Sequence, residues 1–403
     1  MVSANLIAGA IEELQPIFQR IDGQTQAHLR RVLAAFREHR VGSHHFASVL
    51  GYGHNDRGRE VVDRVFAQVL GAEQALVRVQ IVSGTHAIAC CLRGNLRPGD
   101  ELLAVVGAPY DTLEPVIGKY PSSGSLAEQQ VKYRELPLTK SGTIDWENLS
   151  TAVRPETKMV LIQRSCGYSW RPSLDLADID RIITIVKQQN PHTICFVDNC
   201  YGEFVQEQEP TAIGADLLAG SLIKNPGGTI APTGGYIAGK AEYVENAANY
   251  LTAPGIGSEG GTMLDQTRLI LQGLFLAPQM VGEALKCSHL ASLVFDRLGY
   301  AVNPLPFDPR RDIIQAIKLG SADQLMQFCR TVQQFSPIDS YVDPVPAPMP
   351  GYISNLVMAG GTFIDGSTLE LSADAPLREP YIVFLQGGTH WTHMAIILEQ
   401  FKF

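Results

Sequence analysis

The chain has 403 residues, of which 45% are hydrophobic and 18% are charged, and it carries a formal net charge of -9. This composition is typical of a globular protein and excludes a disordered or fibrous one. No block of basic residues offsets the negative charge, so neither nucleic acid nor an anionic membrane surface is expected as a partner.

The sequence also lacks the patterns of secretion and membrane insertion. Its first stretch, "MVSANLIAGAIEELQPIF", has no basic region and is interrupted by Glu12 and Glu13, so it does not predict a signal peptide. No stretch reaches the roughly 18 uninterrupted apolar residues that a membrane span requires. The seven cysteines lack paired C-x-x-C spacing and are expected to be reduced thiols. We therefore expect a cytoplasmic protein.

The first predicted elements are helices. Apolar residues recur at helical spacing over residues 4–39 and again in "GREVVDRVFAQVLG", which ends at Gly71, a residue type that favours the turn after a helix. A strand follows in "AEQALVRVQIVSG". The next helix, "THAIACCLRGNL", is opened by Ser83, Gly84 and Thr85, since serine commonly caps a helix N-terminus.

The middle of the chain alternates short apolar runs with helical patterns. Strands are predicted in "GDELLAVVGAPY", "KMVLIQRS", "TICFVDN", "ADLLAGSL" and "GGYIAG", with helices such as "LADIDRIITIVKQQ" between them. This rhythm predicts an α/β fold with a mostly parallel sheet covered by helices, where ligands bind beyond the carboxyl ends of the strands. From about residue 276 a long helix, short strands and a proline-rich interval follow. We predict an N-terminal helical segment (1–50), a large α/β domain (51–275) and a smaller α+β C-terminal domain (276–403).

Polar residues stand at several predicted strand ends. Ser83, Gly84 and Thr85 lie between a strand and a helix, where free backbone N–H groups favour a phosphate, although an ordinary N-cap turn has the same pattern. Tyr110 ends the next strand and either covers a planar ring or belongs to the core. Asp198 closes "TICFVD" and needs a partner, because an isolated buried carboxylate is strongly penalised. The alternative is that this aspartate caps the N-terminus of a helix.

Lys224 completes the set. It follows the apolar run "SLI", three residues after Ser221, and a lysine at the end of a buried strand is costly unless its charge has a task or reaches water. A phosphate turn, an aromatic ring, an aspartate and a lysine in one α/β domain match the requirements of pyridoxal 5'-phosphate (PLP): anion cradle, ring cover, partner for the ring nitrogen and Schiff-base amine. Lys240, after "GGYIAG", is the rival lysine, although a surface turn explains it better.

At these residues the sequence resembles the fold-type I PLP-dependent enzymes, and more closely the methionine γ-lyase and cystathionine β-lyase-like family of aluminium resistance proteins. The resemblance covers roughly residues 50–390, and its most specific stretches are "VDNCYGEFVQEQEP" and "ADLLAGSLIKNPGGTIAPTGGYIAG". It implies that Lys224 forms the Schiff base, that Asp198 pairs with the ring nitrogen and that Tyr110 stacks on the ring. The cofactor-binding residues are then expected to be Tyr52, Arg59, Ser83, Gly84, Thr85, His86, Tyr110, Asp198, Ser221 and Lys224.

The resemblance further implies active sites shared between subunits. Tyr52, together with Arg57 or Arg59, corresponds to residues that reach the phosphate of a neighbouring subunit, so a dimer or tetramer is expected. Arg378 in "SADAPLREPY" corresponds to an arginine that binds the substrate carboxylate, and Tyr52 is expected at the substrate as well. In "QRSCGYSWRPS" the chain has Cys166 where the family often has a basic residue, which leaves the roles of the nearby arginines, Arg164 and Arg171, undecided.

The implied function is a PLP-dependent carbon-sulfur lyase that acts on a sulfur-containing amino acid by β- or γ-elimination. Asp198 would keep the ring nitrogen protonated, and Lys224 would take the proton from the substrate Cα. A PLP enzyme of another class, such as an aminotransferase or an aldolase, is the alternative because one fold hosts many chemistries. A non-catalytic PLP-binding protein is the second alternative.

Two further patterns are weaker. "GIGSEG" at residues 255–260 satisfies G-x-G-x-x-G, but neither a strand before it nor an acidic residue about 20 positions later supports dinucleotide binding; a loop over the active site is the alternative. His44, His45, His54 and His86 lack metal-ligand spacing, so no metal is predicted. His86 is instead expected to line the cofactor pocket.

Overall fold

The computed structural model describes residues 2–349, 352 and 354–401. Within these residues the strands form one sheet of seven strands and one of five. The larger sheet contains β1 (Gln74–Arg78), β2 (Glu101–Ala104), β3 (Lys132–Glu135), β4 (Thr157–Gln163), β5 (Ile194–Asp198), β6 (Leu217–Ser221) and β7 (Gly235–Gly239). The smaller sheet contains β8 (Ala301–Asn303), β9 (Ile314–Lys318), β10 (Leu356–Ala359), β11 (Ser372–Pro376) and β12 (Ile382–Gln386).

The helices surround these two sheets. In chain order they are α1 (Ala4–Glu38), α2 (Arg57–Leu70), α3 (Gly84–Asn95), α4 (Glu114–Ile117), α5 (Leu149–Ala152), α6 (Leu176–Gln189), α7 (Ala241–Leu251), α8 (Thr267–Arg297), α9 (Ala322–Gln334) and α10 (Trp391–Gln400). None of the helices in the described ranges combines the length and the apolar character needed to cross a membrane.

The larger sheet has the strand order β1-β7-β6-β5-β4-β2-β3. Strands β6, β5, β4, β2 and β3 pair in parallel, whereas β7 is antiparallel to both β6 and β1. Since β1 and β6 both oppose β7, β1 points in the same direction as the parallel strands. The prediction of a mostly parallel sheet is therefore confirmed, and the carboxyl ends of β1, β2, β4, β5 and β6 lie at one edge.

Alternating side chains of the central strands enter two separate cores. Leu103, Val160 and Val197 lie in a cluster with residues of α2, α6 and α8, and the adjacent Leu102 and Phe196 lie in a second cluster with residues of α3 and α7. This alternation follows from the two-residue period of a strand. Because helices cover both faces, the edge at the strand ends is left as the place for a ligand.

The smaller sheet has the order β10-β11-β12-β9-β8, with antiparallel pairing throughout. Its core includes residues from α9, α10, the first half of α1 and the second half of α8. Leu274 of α8 belongs to the core of the larger sheet, whereas Leu290 of the same helix belongs to that of the smaller sheet. The predicted boundary between residues 275 and 276 therefore falls inside a continuous helix.

Local signals placed most element ends correctly. Helix α1 begins and ends within one residue of the prediction, Gly71 has the left-handed conformation with φ 69°, and the Ser83 side chain caps α3. Two strand ends were wrong: β1 ends at Arg78 and does not run up to Ser83, and β2 ends at Ala104 and not at Tyr110. Gly107 has φ +74°, and the nearby Pro109 has no N–H to donate, so the ladder does not continue.

The loop after Lys224 packs tightly against α8. Gly228 has φ +52°, and a Cβ at this position would lie 2.2 Å from the backbone oxygen of Gly273 in α8. We expect Gly228→Ala to lower the free energy of unfolding, measured by urea denaturation, by about 3 kcal/mol or more. The control is Gly299→Ala, because Gly299 has φ +86° but nothing within 4 Å of a Cβ; its expected loss is about 1 kcal/mol. Equal losses would contradict the tight packing.

Candidate active site

A cavity of about 480 Å³ lies at the carboxyl ends of the strands of the larger sheet. Residues from the ends of β5 and β6, the first turn of α3 and the loop after β2 form its walls, and Arg378, which follows β11, reaches it from the smaller sheet. The fold thus brings together most of the residues selected from the sequence. Those that line the cavity are Ser83, Gly84, Thr85, Tyr110, Asp198, Ser221, Lys224 and Arg378.

Lys224 follows β6 and is half-buried. Its Nζ atom lies 3.8 Å from the centroid of the Tyr201 ring, a geometry in which the ring attracts the ammonium. Burial lowers the pKa of Lys224, but the acidic groups around it, Cys200 first among them, raise it, and the net shift is upward. The next residue, Asn225, donates a hydrogen bond of 2.9 Å to the backbone oxygen of Glu203. The lysine therefore stands on an anchored loop.

Asp198 is the last residue of β5 and is 5% exposed. One of its carboxylate oxygens accepts a hydrogen bond of 3.2 Å from the backbone N–H of Cys200. Burial raises the pKa of Asp198 by more than the charge of Lys224 and the Cys200 N–H lower it, so the net shift is upward. The cavity thus contains a buried carboxylate and an ammonium that stabilise each other's charged forms.

The first turn of α3 forms the third wall. The Ser83 hydroxyl accepts a hydrogen bond of 3.0 Å from the N–H of His86, while the first backbone N–H groups of a helix have no intrahelical acceptor and favour an anion. A Cβ on Gly84 would lie 3.1 Å from the Cys200 sulfur and 3.5 Å from the Ser221 Cβ. The absence of a side chain at Gly84 therefore lets this helix end approach the strand ends closely.

Tyr110 is held at both its backbone and its ring. Its hydroxyl lies 2.9 Å from the Thr85 Oγ1, and its N–H donates a hydrogen bond of 2.9 Å to the Gln163 side chain. Gln163 was not selected from the sequence, although it closes the otherwise apolar run of β4, "TKMVLIQ". A polar residue at the end of a buried strand was the available signal.

Three tyrosines were also missed. Tyr168, Tyr201 and Tyr352 line the cavity and make one wall of it aromatic. Tyr201 stands in the stretch "VDNCYGEF", and its φ of 71° is unusual for a residue with a side chain. Tyr168 and Tyr352 lie far apart in the sequence, and their rings meet with centroids 5.7 Å apart, so no local pattern pointed to them.

A family model described as methionine gamma-lyase matches residues 3–402. The chain belongs to the methionine gamma-lyase family. It is 45% identical to a carbon-sulfur lyase involved in aluminium resistance from Clostridium novyi NT, with 98% of this chain and 93% of that chain covered and a TM-score of 0.93. It is also 45% identical, over 96% of its length and 91% of the relative's, to the uncharacterized protein YnbB of Bacillus subtilis (strain 168).

A more distant structure shares the fold alone. The PLP-dependent protein YhfS from Escherichia coli is 16% identical, with 94% of this chain and 96% of that chain covered and a TM-score of 0.64. The family match confirms the resemblance found at the lysine and aspartate stretches, and it shows that this member of the methionine gamma-lyase family is an enzyme of the carbon-sulfur lyase class.

Two residues that were expected to bind the cofactor of this lyase have other partners. Arg59 is 1% exposed, and its Nη1 donates hydrogen bonds to the backbone oxygens of Gly53 at 2.8 Å and Gly261 at 2.9 Å. The His86 ring accepts a hydrogen bond of 3.2 Å from the N–H of Val82. Neither side chain lines the cavity of its own chain, and the contact of Arg59 with the phosphate of a neighbouring subunit stays a prediction.

Tyr52 also lies outside the cavity of its own chain. Its side chain is 82% exposed, and its ring lies 5.6 Å from that of His54. The predicted contact with cofactor or substrate therefore depends on a second chain and stays a prediction.

The two undecided arginines have structural partners. Arg164 is fully buried and donates a hydrogen bond of 2.7 Å to the Asn199 side chain. Arg171 donates one of 3.1 Å to the backbone oxygen of Gln163 and so fixes the strand end next to the cavity. Cys166 lines the cavity, but burial raises the pKa of its thiol to about 12, so the thiolate is not the form present near neutral pH.

The rival motifs lie away from the cavity. Lys240 is 48% exposed and pairs with Asp216 at 2.7 Å, as expected of a surface lysine. The "GIGSEG" segment follows α7 rather than a strand and contains a short 3₁₀ helix, Gly257–Glu259. It does not line the cavity of its own chain, and its place over an active site stays a prediction. The neighbouring Gly261 N–H donates a hydrogen bond of 3.1 Å to the Tyr52 backbone oxygen.

Proposed function

We propose that the protein is a fold-type I, PLP-dependent carbon-sulfur lyase that acts on a sulfur-containing amino acid by β- or γ-elimination. The observation that carries this proposal is that Lys224, Asp198 and the N-terminus of α3 line one cavity. Lys224 offers an amine for the aldehyde of PLP, and Asp198 offers a carboxylate for its ring nitrogen. The N-terminus of α3 offers an anion site for its phosphate.

The described residues fit this cofactor. Because a Cβ at Gly84 would lie 3.1 Å from the Cys200 sulfur, the glycine lets the N-terminus of α3 lie close to the strand ends, where its free N–H groups would bind the phosphate. Asp198 is 5% exposed in a position where an unpaired carboxylate would be costly, so a cationic ring nitrogen would be a suitable partner. Thr85 and Ser221 would add hydroxyl groups to the phosphate site, and the Tyr110 ring would cover the cofactor.

When bound, PLP supplies an electron-accepting ring that stabilises the negative charge left at the substrate Cα. The amine of Lys224 takes the proton from that carbon. Asp198 would hold the ring nitrogen and keep it protonated, since a buried carboxylate favours a neighbouring cation. Arg378 binds the substrate carboxylate through its two parallel N–H donors. With the Cα proton removed, a sulfur group at Cβ would leave as a thiol after taking a proton from the Lys224 ammonium. A sulfur group at Cγ would leave only after a proton is also removed from Cβ.

Spectra and product analysis of the purified protein with added PLP test the proposal. We expect a visible absorbance band that borohydride bleaches, and release of a keto acid, ammonia and a thiol or hydrogen sulfide from at least one sulfur-containing amino acid. An aminotransferase would form the keto acid without free ammonia, and an aldolase would form an aldehyde. A colourless protein that stays colourless with PLP would contradict the whole proposal.

We also propose that two or four copies share their active sites. Exposed apolar side chains surround the segment that carries Tyr52, among them Leu50 at 73%, Val82 at 72% and Leu264 at 54% exposure, as is typical of a surface that binds another protein. A partner bound there would cover them.

The seven cysteines are all buried and free, which supports a reducing compartment such as the cytoplasm.

A further inference from the structure

A buried carboxylate of the smaller sheet contacts the wall of the cavity. Asp374, in β11, is 4% exposed. Its Oδ2 atom accepts a hydrogen bond of 2.7 Å from the Tyr168 hydroxyl and one of 2.6 Å from the Gln386 amide at the end of β12. Tyr168 belongs to the loop after β4 of the larger sheet. The hydrogen bond between Asp374 and Tyr168 therefore connects the two sheets.

Tyr168 is held by packing as well as by this hydrogen bond. Its ring centroid lies 5.3 Å from that of Phe384 in β12 and 5.7 Å from that of Tyr352, while the residue itself lines the cavity beside Lys224. Aromatic packing alone leaves a ring some freedom to slide. The carboxylate fixes its hydroxyl end, because hydrogen bonds to a charged acceptor are short and strong.

The same strand supplies the proposed substrate arginine. Arg378 comes four residues after Asp374, just beyond the end of β11. The backbone N–H of Arg378 donates a hydrogen bond to the backbone oxygen of Pro376, and its backbone oxygen accepts one from the N–H of Tyr381, both at 2.8 Å. The turn that carries Arg378 is therefore bonded to the strand. A displacement of β11 would therefore move Arg378 relative to Lys224.

The hydrogen bonding of Asp374 is incomplete. Its Oδ1 atom is buried and, among the described residues, has no hydrogen-bond partner. An unpaired buried carboxylate oxygen is unfavourable for folding, and replacing a buried charge by an apolar side chain often stabilises a protein. A residue selected only for stability at this site would not need to be an aspartate.

We propose that Asp374 is a positioning residue that acts through Tyr168: their hydrogen bond sets the spacing between Arg378 and Lys224, and with it the affinity of the site for the carboxylate of an amino acid. This inference rests on the proposed function, because it assigns Arg378 and Lys224 to one substrate molecule. The inference adds Asp374 and Tyr168 to the residues on which the position of the substrate depends.

Three variants of the PLP-loaded enzyme test this role. Tyr168→Phe and Asp374→Ala each remove the hydrogen bond, and we expect each to raise KM and the dissociation constant of glycine about tenfold, with kcat within about threefold of wild type. Glycine is the probe because it has the ammonium and carboxylate groups but no leaving group, and its binding is measured by the change in visible absorbance. Asp374→Asn keeps an acceptor oxygen for Tyr168, so both constants should stay within about threefold of wild type.

The control is Tyr133→Phe, which removes a hydrogen bond of 2.8 Å from another half-buried tyrosine to a carboxylate, that of Glu135 on β3, outside the cavity. It should leave both constants unchanged. Tyr168→Phe with wild-type affinity for glycine would overturn the inference, as would a loss confined to kcat, which would place Tyr168 at the reacting atoms. If Asp374→Asn bound glycine as weakly as Asp374→Ala, the effect would be due to the charge of Asp374, and the positioning role would be overturned.

Failure of the proposed function gives a different result. A wild-type protein that binds neither PLP nor glycine would contradict the proposed function, and the positioning role would fall with it. A wild-type protein that binds both, beside a Tyr168→Phe variant that binds glycine equally well, would contradict the positioning role alone. Parallel losses of urea resistance, PLP content and glycine affinity in Tyr168→Phe and Asp374→Asn would indicate a merely structural role and also overturn it.

Discussion

The Lys224→Ala variant is expected to lose the covalent attachment of PLP and to lower kcat for elimination by a factor of about 1000 or more. Alanine removes both the amine proposed to bind the cofactor and the base proposed to take the Cα proton. Within residues 2–349, 352 and 354–401 no second lysine lines the cavity, so no other side chain can take over the covalent bond. The measurement is the visible spectrum of the loaded protein before and after borohydride, followed by keto-acid release.

The matched control is Lys240→Ala. Lys240 is the rival lysine in the sequence, but its ion pair with Asp216 is about half-exposed, and such surface pairs contribute roughly 0–1 kcal/mol. This variant should bind PLP and eliminate at the wild-type rate. The assignment of Lys224 would be refuted if its alanine variant kept a borohydride-reducible band, or if Lys240→Ala lost it.

Asp198, Lys224 and Ser83 were predicted from local patterns in the sequence. Asp198 and Lys224 each follow an apolar run of a few residues, and Ser83 precedes a helical pattern. Because parallel strands end at a common edge, identifying the strand ends was enough to bring these side chains together. The structure places all three on one cavity.

The residues that were missed depend on contacts between distant segments. The hydrogen bond between Tyr168 and Asp374 joins positions 206 residues apart, and it requires the register of β11 against β12 as well as the docking of the smaller sheet. Neither is encoded in a local pattern. For the same reason no local signal showed that α1 and α8 contribute to the cores of both sheets.

Two of the expected binding residues have backbone partners within their own chain. The N–H of Val82 is satisfied by the His86 ring, and the oxygens of Gly53 and Gly261 are satisfied by Arg59. Buried or turn backbone groups need partners, and these side chains provide them. A motif that shows which residue types are present does not show which backbone groups they must satisfy.

The Asp198→Asn variant separates the binding of the cofactor from its activation. Asparagine has nearly the size of aspartate and keeps an oxygen that can accept the Cys200 N–H, which lies 3.2 Å from the carboxylate, so we expect PLP to stay bound to Lys224. The charge that holds a proton on the ring nitrogen is lost, and the ring accepts electrons less readily. We therefore expect kcat to fall roughly 100- to 1000-fold.

The relevant measurement is kcat per bound cofactor, with PLP content determined after release in alkali. Because Asp198 is one of the charges that raise the pKa of Lys224, its removal lowers that pKa, which makes the neutral amine available at lower pH and also makes it a weaker base. A variant with full PLP content and the wild-type kcat would remove Asp198 from the catalytic role. A fall in activity that matches the loss of PLP would make it a binding residue only.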